Sequence, residues 1–417
     1  MRILKLTEAT ERALFKAREG EDQEALRVAG RIVEDVRRRG DKAVQRWTRK
    51  LDGVDLRRSG VWVTPEEFAT AKRNVSPEFV RAAKHAIANV RLVAEKQMPR
   101  DWTFEVEPSV TVGQMVRSLE SIGCYIPGGR FALVSTLVMT IVPAQVAGVR
   151  DIVAVCPHPN QELLATAELL GVMRLARVGG AQAIAAMAYG TKRIPRVDKL
   201  FGPGNRFVTA AKQIVSAHCA IDLPAGPTEA VVLADCGNAR WIAADMLAQA
   251  EHAPDAGSFL VTTSRHLAKG VAVEVKKQLG ELPADNPAHA SCRKTGAILV
   301  ANSREEAVAF VNRFAPEHLS IPEDGADFVE MICNAGTIFL GPLSAQPFGD
   351  YASGSNHVLP TGGWARRRGG LSTADFVKRI SVQRIEPAGY KSLADDVQIL
   401  AKAEGLLAHS NAVEVRR

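Results

Sequence analysis

Between Cys124 and Leu279 the chain repeats one pattern: a short apolar run, a glycine-bearing turn, then a helical stretch. Residues 151–156 form a buried-strand run, followed by a helical pattern near 161–170 and a short strand near 175–178. Gly179-Gly180-Ala181-Gln182 then opens a helix through Ala188, and Gly202-Pro203-Gly204-Asn205 closes the next strand pattern before another helical run. The cycle begins again with strand 230–233, helix 239–251, strand 258–263 and helix 264–279. Strands joined through helices pair in parallel, so the alternation predicts βαβ units. Two α/β units are expected, with a boundary near Ala225-Gly226-Pro227.

The flanks read differently. From Asp22 to Lys96 the periodicity is helical: Ala29, Ile32, Val33 and Val36 share one face, and Gly40-Asp41 ends that helix. A second amphipathic helix starts at Pro77, and β-rich pieces follow at 103–107 and 110–117. Beyond Ser372 the chain reads as a short helical piece of about 45 residues, too small for its own core, which is expected to pack on a second subunit. The expected organisation is an N-terminal helical segment (1–21), a site-bearing α/β domain (22–124 with 228–371), a second α/β domain (125–227) and a C-terminal helical segment (372–417).

Several function classes drop out. The stretch 131–149 is apolar but carries Ser135, Thr136, Thr140, Pro143 and Gln145, which fits a buried helix better than a bilayer span. The net charge of +7 invites a nucleic-acid reading, but the compact basic runs are only Arg37-Arg38-Arg39 and Arg366-Arg367-Arg368, with no recognition motif beside them. The six cysteines are far apart, with neither a CxxC nor a dense framework, and the first residues turn polar at once. A cytoplasmic protein without membrane or nucleic-acid partner is expected.

No GxGxxG and no phosphate-loop motif occurs. The turns at Gly128-Gly129, Gly179-Gly180 and Gly202 to Gly204 each precede a helical pattern, where free N–H groups accept phosphate or the turn merely needs positive φ. Gln249 and His252 stand at i and i+3 on a helix, a spacing that suits either shared metal ligation or capping of the helix end. Pro316-Glu317-His318 sets a carboxyl beside an imidazole, expected at a helix start, where the two could divide acid and base work. Residues 349–357 form a dense polar loop that reads as a site, and His409 closes the last helix.

Taken together these blocks resemble histidinol dehydrogenases. The resemblance is carried in order by Tyr125-Ile-Pro-Gly-Gly-Arg130, Gly179-Gly-Ala-Gln-Ala-Ile-Ala185, Phe201-Gly-Pro-Gly-Asn205, Pro224-Ala-Gly-Pro-Thr-Glu229, Gln249-Ala-Glu-His252 and Ala315-Pro-Glu-His318. It continues through Gly349-Asp-Tyr351, Asn356-His-Val-Leu-Pro-Thr361 and the segment from Glu404 to His409. It implies two incomplete Rossmann-like domains and one zinc ion per subunit held by Gln249, His252, Asp350 and His409. It further implies an acid/base pair of Glu317 and His318, and NAD contacts from Tyr125, Gln182 and Asn205. Substrate would be held by Thr228, His357 and Glu404 together with Gln249, His252, His318, Asp350 and His409. The implied reaction is the two-step oxidation of L-histidinol through bound L-histidinal to L-histidine, in a homodimer whose Glu404 and His409 serve the other subunit's site.

Thr228 departs from the family pattern, which has Ser there. The hydroxyl remains, and the extra methyl stiffens the side chain beside the substrate. Relatives that oxidise other small polyols, including a dihydroxypropanesulfonate, share many of the blocks, and an anionic sulfonate would want an arginine such as Arg366, Arg367 or Arg368. An inactive binding paralogue would have lost metal or acid/base residues, and all six are present here.

Overall fold

The computed structural model describes residues 1–18, 22–128, 132–223, 226–323 and 327–417. Gly129, Arg130, Pro224 and Ala225 of the quoted blocks lie outside the described residues, as does Phe131.

Two parallel sheets form the body. In one, six strands lie in the spatial order Arg2–Lys5, Ala297–Val300, Gly257–Thr262, Glu229–Leu233, His318–Ile321 and Thr337–Leu340. Neighbouring residues along its strands enter different cores: Val231, Val261 and Leu299 pack with Phe310 and Phe314 on one face, Val232, Leu260 and Ile298 with Ile242, Met246 and Val271 on the other. Helices cover both faces, which is why the strands read as continuous apolar runs without alternation. The other sheet has five strands in the order Leu175–Ala176, Asp151–Val155, Ser121–Tyr125, Lys199–Phe201 and Ala220–Ile221. Numbered along the chain from Ser121–Tyr125, that is the doubly wound order 3-2-1-4-5. The apolar stretch near 131–149 supplies its helix Val134–Val146, buried along most of its length. Among the described residues no helix is long and apolar enough to cross a membrane.

The structure revises the expected organisation in four places. Helices Gln23–Arg39 and Asp41–Leu51 were expected with the six-stranded half, but they bury Ala25, Ala29, Ile32, Val33, Val36 and Val44 in the core of the five-stranded half. Helix Pro77–Gln97 packs on that half too, through Val90 against the helix Val134–Val146. Periodicity reveals that a helix has an apolar face but not which sheet will receive it. At the N-terminus, Arg2–Lys5 is a strand, paired in parallel with Ala297–Val300 at the edge of the six-stranded sheet.

The C-terminal segment is not purely helical. Val377–Ile385 is a nine-residue strand, antiparallel to Val110–Ser118 along its whole length, and Trp102–Glu107 pairs with the other side of Val110–Ser118. Its residues are almost all exposed, so no inward-outward alternation marks it in sequence. Helices Pro387–Ala403 and Leu407–Glu414 follow and pack on each other. Finally, Pro316 does not start a helix. Helix Arg304–Phe314 ends at Ala315 with φ +50°, and His318 opens the strand His318–Ile321.

Candidate active site

The start of strand Glu229–Leu233, the start of strand His318–Ile321 and the end of helix Ala239–Ala250 meet at one edge of the six-stranded sheet. Their polar groups form a chain of hydrogen bonds. Thr228 Oγ1 donates to Glu317 Oε2 (2.5 Å), and the Glu229 N–H donates to the same oxygen (2.9 Å). Gln249 Nε2 donates to Thr228 Oγ1 (2.9 Å), and Gln346 Nε2 donates to Gln249 Oε1 (2.7 Å). The Gln346 side chain also donates to Asp350. Glu229 itself is fixed by a buried ion pair with Arg18, whose guanidinium lies 3.7 Å from the Phe314 ring centroid.

His318 Nδ1 is 3.3 Å from the Glu229 carbonyl oxygen. A carbonyl only accepts, so the proton is on Nδ1 and Nε2 carries the lone pair. Nε2 is buried without a hydrogen-bond partner among the described residues, 3.9 Å from Asp350 Oδ1. Burial, with His252 and His357 nearby, pushes the imidazole down to about 3, so it is neutral. Its approaches to Glu317 (3.7 Å) and Asp350 are therefore contacts with a neutral ring and not ion pairs. Burial drives Glu317 the other way, up to about 8, against the lowering pull of Thr228 and the Glu229 N–H and assisted by the charges of Glu229 and Asp350. Asp350 is likewise raised by burial. An acid that keeps its proton stands beside a base that lacks one, which is a division of labour set by environment.

Asp350 lies on helix Gln346–Tyr351, so the expected polar loop begins as a helix that sets Gln346 and Asp350 on one face. Gly349 lets this helix close on Phe339: a Cβ there would lie 2.6 Å from the ring that stacks on His318. The following segment joins the two halves. His357 Nδ1 donates to the Asp350 carbonyl (2.9 Å), Thr136 Oγ1 lies 3.3 Å from His357 Nε2, and Asn356 Nδ2 donates to the Met139 carbonyl (2.7 Å). Thr136 and Met139 belong to helix Val134–Val146 of the five-stranded half.

Thr228, Gln249, Glu317, His318, Asp350 and His357 are thus brought together, with exposed His252 just past the helix end. Gln346 and the Glu229 backbone join them unforeseen. Gln346 was discoverable, standing four residues before Asp350 once that stretch is read as helix; a backbone role leaves no mark on residue type. Glu404 and His409 are exposed on the C-terminal helices, and no side-chain bond ties His409 to the cluster among the described residues. No group of three His, Cys, Asp or Glu side chains there is arranged for a metal. Within one chain the expected ligands are an amide, an imidazole and a carboxylate.

The expected cofactor residues line the C-terminal edge of the five-stranded sheet. Tyr125 Oη accepts the Gly180 N–H (3.2 Å), Gln182 Nε2 donates to Asp52 (2.9 Å), and Asn205 Oδ1 caps helix Arg206–Val215 at Phe207 and Val208. Gly202, at φ +108°, lies so close to the Tyr125 carbonyl that a Cβ would come within 2.2 Å of it. The basic run is spent elsewhere: Arg366 donates to the Arg313 carbonyl, Arg368 to the Asp222 carbonyl and Asp375, and Arg367 stacks on Trp364.

Fold and cluster define an α/β protein whose buried carboxyl and imidazole lie beside the segment that joins two parallel-sheet halves. The histidinol dehydrogenase family model matches residues 16–417, and the chain belongs to that family. It is 44% identical to a histidinol dehydrogenase of Methanosarcina barkeri over 94% of this chain and 92% of that one. Identity to the Halalkalibacterium halodurans histidinol dehydrogenase is 46%, covering 92% of each. The crystal structure of histidinol dehydrogenase from Elizabethkingia anophelis superposes with a TM-score of 0.94 at 36% identity, covering 100% of this chain and 97% of that one.

Proposed function

We propose that this chain oxidises L-histidinol through L-histidinal to L-histidine, with zinc and NAD, as a cytoplasmic homodimer. The observation that carries the reading is the His318 tautomer: Nδ1–H committed to a backbone carbonyl and a buried, unpartnered Nε2 facing Asp350. Nε2 is placed to take the carbinol proton in the first oxidation. Glu317 holds its proton while buried and, once ionised, is the group that draws a proton from water in the second oxidation, with Thr228 and the Glu229 N–H keeping its Oε2 in place. Thr228 performs this with the hydroxyl that a serine would also supply.

The donor set fits zinc. The Gln249 Oε1 and the Asp350 carboxylate converge on a shared Gln346 donor, His252 adds an imidazole, and a mixed N/O set of this kind leaves room for substrate. Zinc bound there supplies polarisation of the alcohol oxygen and orientation of the substrate. For NAD, the 3-2-1-4-5 strand order and the fully buried, unpartnered Oε1 of Gln182 support Tyr125, Gln182 and Asn205 as contacts. NAD supplies the hydride acceptor.

Glu404 and His409 need a second copy, whose site they complete in this reading. Exposed Trp102, Phe104, Val106, Ile380, Val382, Ile399, Leu400 and Leu407 on the same C-terminal assembly give such a copy an apolar surface to cover. A sulfonate substrate is disfavoured, because Arg366 and Arg368 are bonded to backbone carbonyls away from the cluster.

The deciding experiment offers zinc-loaded protein and NAD⁺ either L-histidinol or dihydroxypropanesulfonate and counts NADH. Two NADH per L-histidinol without free aldehyde is the expected result. Turnover of the sulfonate alone overturns the substrate, and silence with both overturns the activity.

A further inference from the structure

We infer that Asp52 reads the adenosine ribose of the dinucleotide and makes this chain select NAD over its 2′-phosphorylated form. The inference rests on the NAD reading above and extends it to a residue outside the expected set.

In a doubly wound sheet of this order the cofactor lies across the carboxyl ends of the strands, its adenosine half toward the second strand. An acidic residue about 20 residues beyond the glycine turn ordinarily accepts the ribose 2′-hydroxyl there. Here the second strand, Asp151–Val155, runs on into Cys156-Pro157-His158-Pro159 and offers no acid at its carboxyl end. Asp52 supplies one from elsewhere. It caps the C-terminus of helix Asp41–Leu51, and its charge is felt at Cys156 and Tyr125, as that of His158 is at Asp52. It thus reaches the carboxyl edge of the sheet by a different route through the chain: its hydrogen bonds hold it at the Gly179-Gly180 turn after the third strand, Leu175–Ala176, and Tyr125 from the end of the first strand bonds to that same turn.

The chemistry around Asp52 suits a diol and repels a phosphate. The carboxylate accepts the Gly179 N–H and Gln182 Nε2 (2.9 Å), which leaves it further lone pairs on its half-exposed side. Gln182 is fully buried, and its Oε1 has no partner among the described residues. The unpartnered Gln182 Oε1 and the remaining lone pairs of Asp52 lie on neighbouring side chains, and the two O–H groups of a ribose are donors for both. Gly180 keeps the approach open, since a Cβ at that position would lie 2.7 Å from Gln182 Oε1. No arginine or lysine pairs with Asp52 among the described residues, and its one basic neighbour is His158. A 2′-phosphate would meet a carboxylate where it needs a guanidinium. The same carboxylate occupies the N-terminus of helix Gly180–Tyr189, so the Gly179-Gly180 turn is already capped by the chain's own anion.

Calorimetric titration of NAD⁺, NADP⁺ and 2′-deoxyadenosine NAD⁺ into the zinc-loaded wild type and into Asp52→Asn tests this without turnover. Asparagine keeps an acceptor for the Gly179 N–H, and thermal unfolding reports whether the variant is folded. The expected result is that the wild type prefers NAD⁺ and loses about tenfold or more in affinity for the 2′-deoxy analogue, while Asp52→Asn narrows the NAD⁺:NADP⁺ ratio by about tenfold or more. A folded variant with an unchanged ratio overturns the inference and leaves Asp52 as a helix cap, with the NAD reading intact. Equal wild-type affinity for NAD⁺ and its 2′-deoxy analogue overturns it independently of how the variant folds. Wild type that binds no dinucleotide overturns the NAD reading as well.

Discussion

Glu317 and His318 are a carboxyl and an imidazole on one strand end; Glu404 and His409 are the same two groups on the C-terminal helices. The first pair is buried, hydrogen-bonded to backbone and pushed in opposite directions, the acid up to about 8 and the imidazole down to about 3. The second pair is exposed, and His409 is tied to the cluster by no side-chain bond among the described residues. Residue type is therefore not what makes a group reactive in this chain. The buried pair acquires its properties from burial first and then from the Glu229 backbone and the neighbouring charges, and the exposed pair has yet to receive a setting, which in the dimer reading a second copy provides.

The contrast can be broken at its buried end first. His318→Gln keeps a polar side chain but removes the lone pair at the end of the ring, and kcat should fall by about 10²- to 10⁴-fold with a much smaller change in KM. Normal steady-state turnover by that variant would move the base elsewhere. The exposed end is tested by mixing. His252→Ala and His409→Ala chains, each nearly inactive alone, should regain about a quarter of wild-type activity after equal mixing and subunit exchange, because half the dimers then contain one intact site. No recovery despite exchange would show that His409 does not act across an interface.

Smaller changes sharpen the comparison. Thr228→Val removes the hydroxyl that both donates to Glu317 and accepts from Gln249, leaving buried polar groups unpaired. A loss of about 1–3 kcal/mol in urea unfolding is expected, with Thr228→Ser close to wild type. Two equal midpoints would mean that this bond chain contributes nothing. A last test is the pH dependence of the metal-free chain. Glu317 has its folded value raised from 4.5 to about 8, so the folded state binds more protons between those limits and stability falls as pH rises through them. His318 is lowered from 6.5 to about 3, so its contribution is lost as pH falls through that interval. Glu317→Gln should flatten the alkaline slope and His318→Gln the acid one, read from denaturant midpoints across pH.

Much of this architecture was legible in the sequence because burial on two faces turns parallel strands into apolar runs, and glycine turns mark where helices begin. The site motifs were legible for a different reason: Gln249 with His252, and Glu317 with His318, are close along the chain as well as in space. What escaped was set by long-range pairing. Helix Gln23–Arg39 shows its apolar face but not its destination, and Val377–Ile385 looks featureless because only hydrogen bonds to Val110–Ser118 make it a strand. The edge of the sheet escaped too. Ligands of open α/β sheets lie at the carboxyl ends of strands, as the residues around Tyr125 do, yet His318 begins its strand and Thr228 precedes one. Glu317 and His318 therefore sit at the opposite edge of their sheet from the one that the alternation of elements would suggest.

The three-stranded antiparallel sheet has a consequence for how the molecule is made. Val110–Ser118 can form its hairpin with Trp102–Glu107 as soon as both are synthesised, but its other partner, Val377–Ile385, emerges only after all the residues between them. Until then one edge of the hairpin stays open, with Trp102, Phe104 and Val106 exposed beside it. An unpaired strand edge with apolar neighbours is a template for mispairing between nascent chains. Closing it requires contacts between distant parts of the sequence, the slowest kind to form. Val377–Ile385 thus works as a latch that shuts only after the strands of both parallel sheets have been delivered, and yield on refolding should depend on chain concentration more through this sheet than through either parallel one.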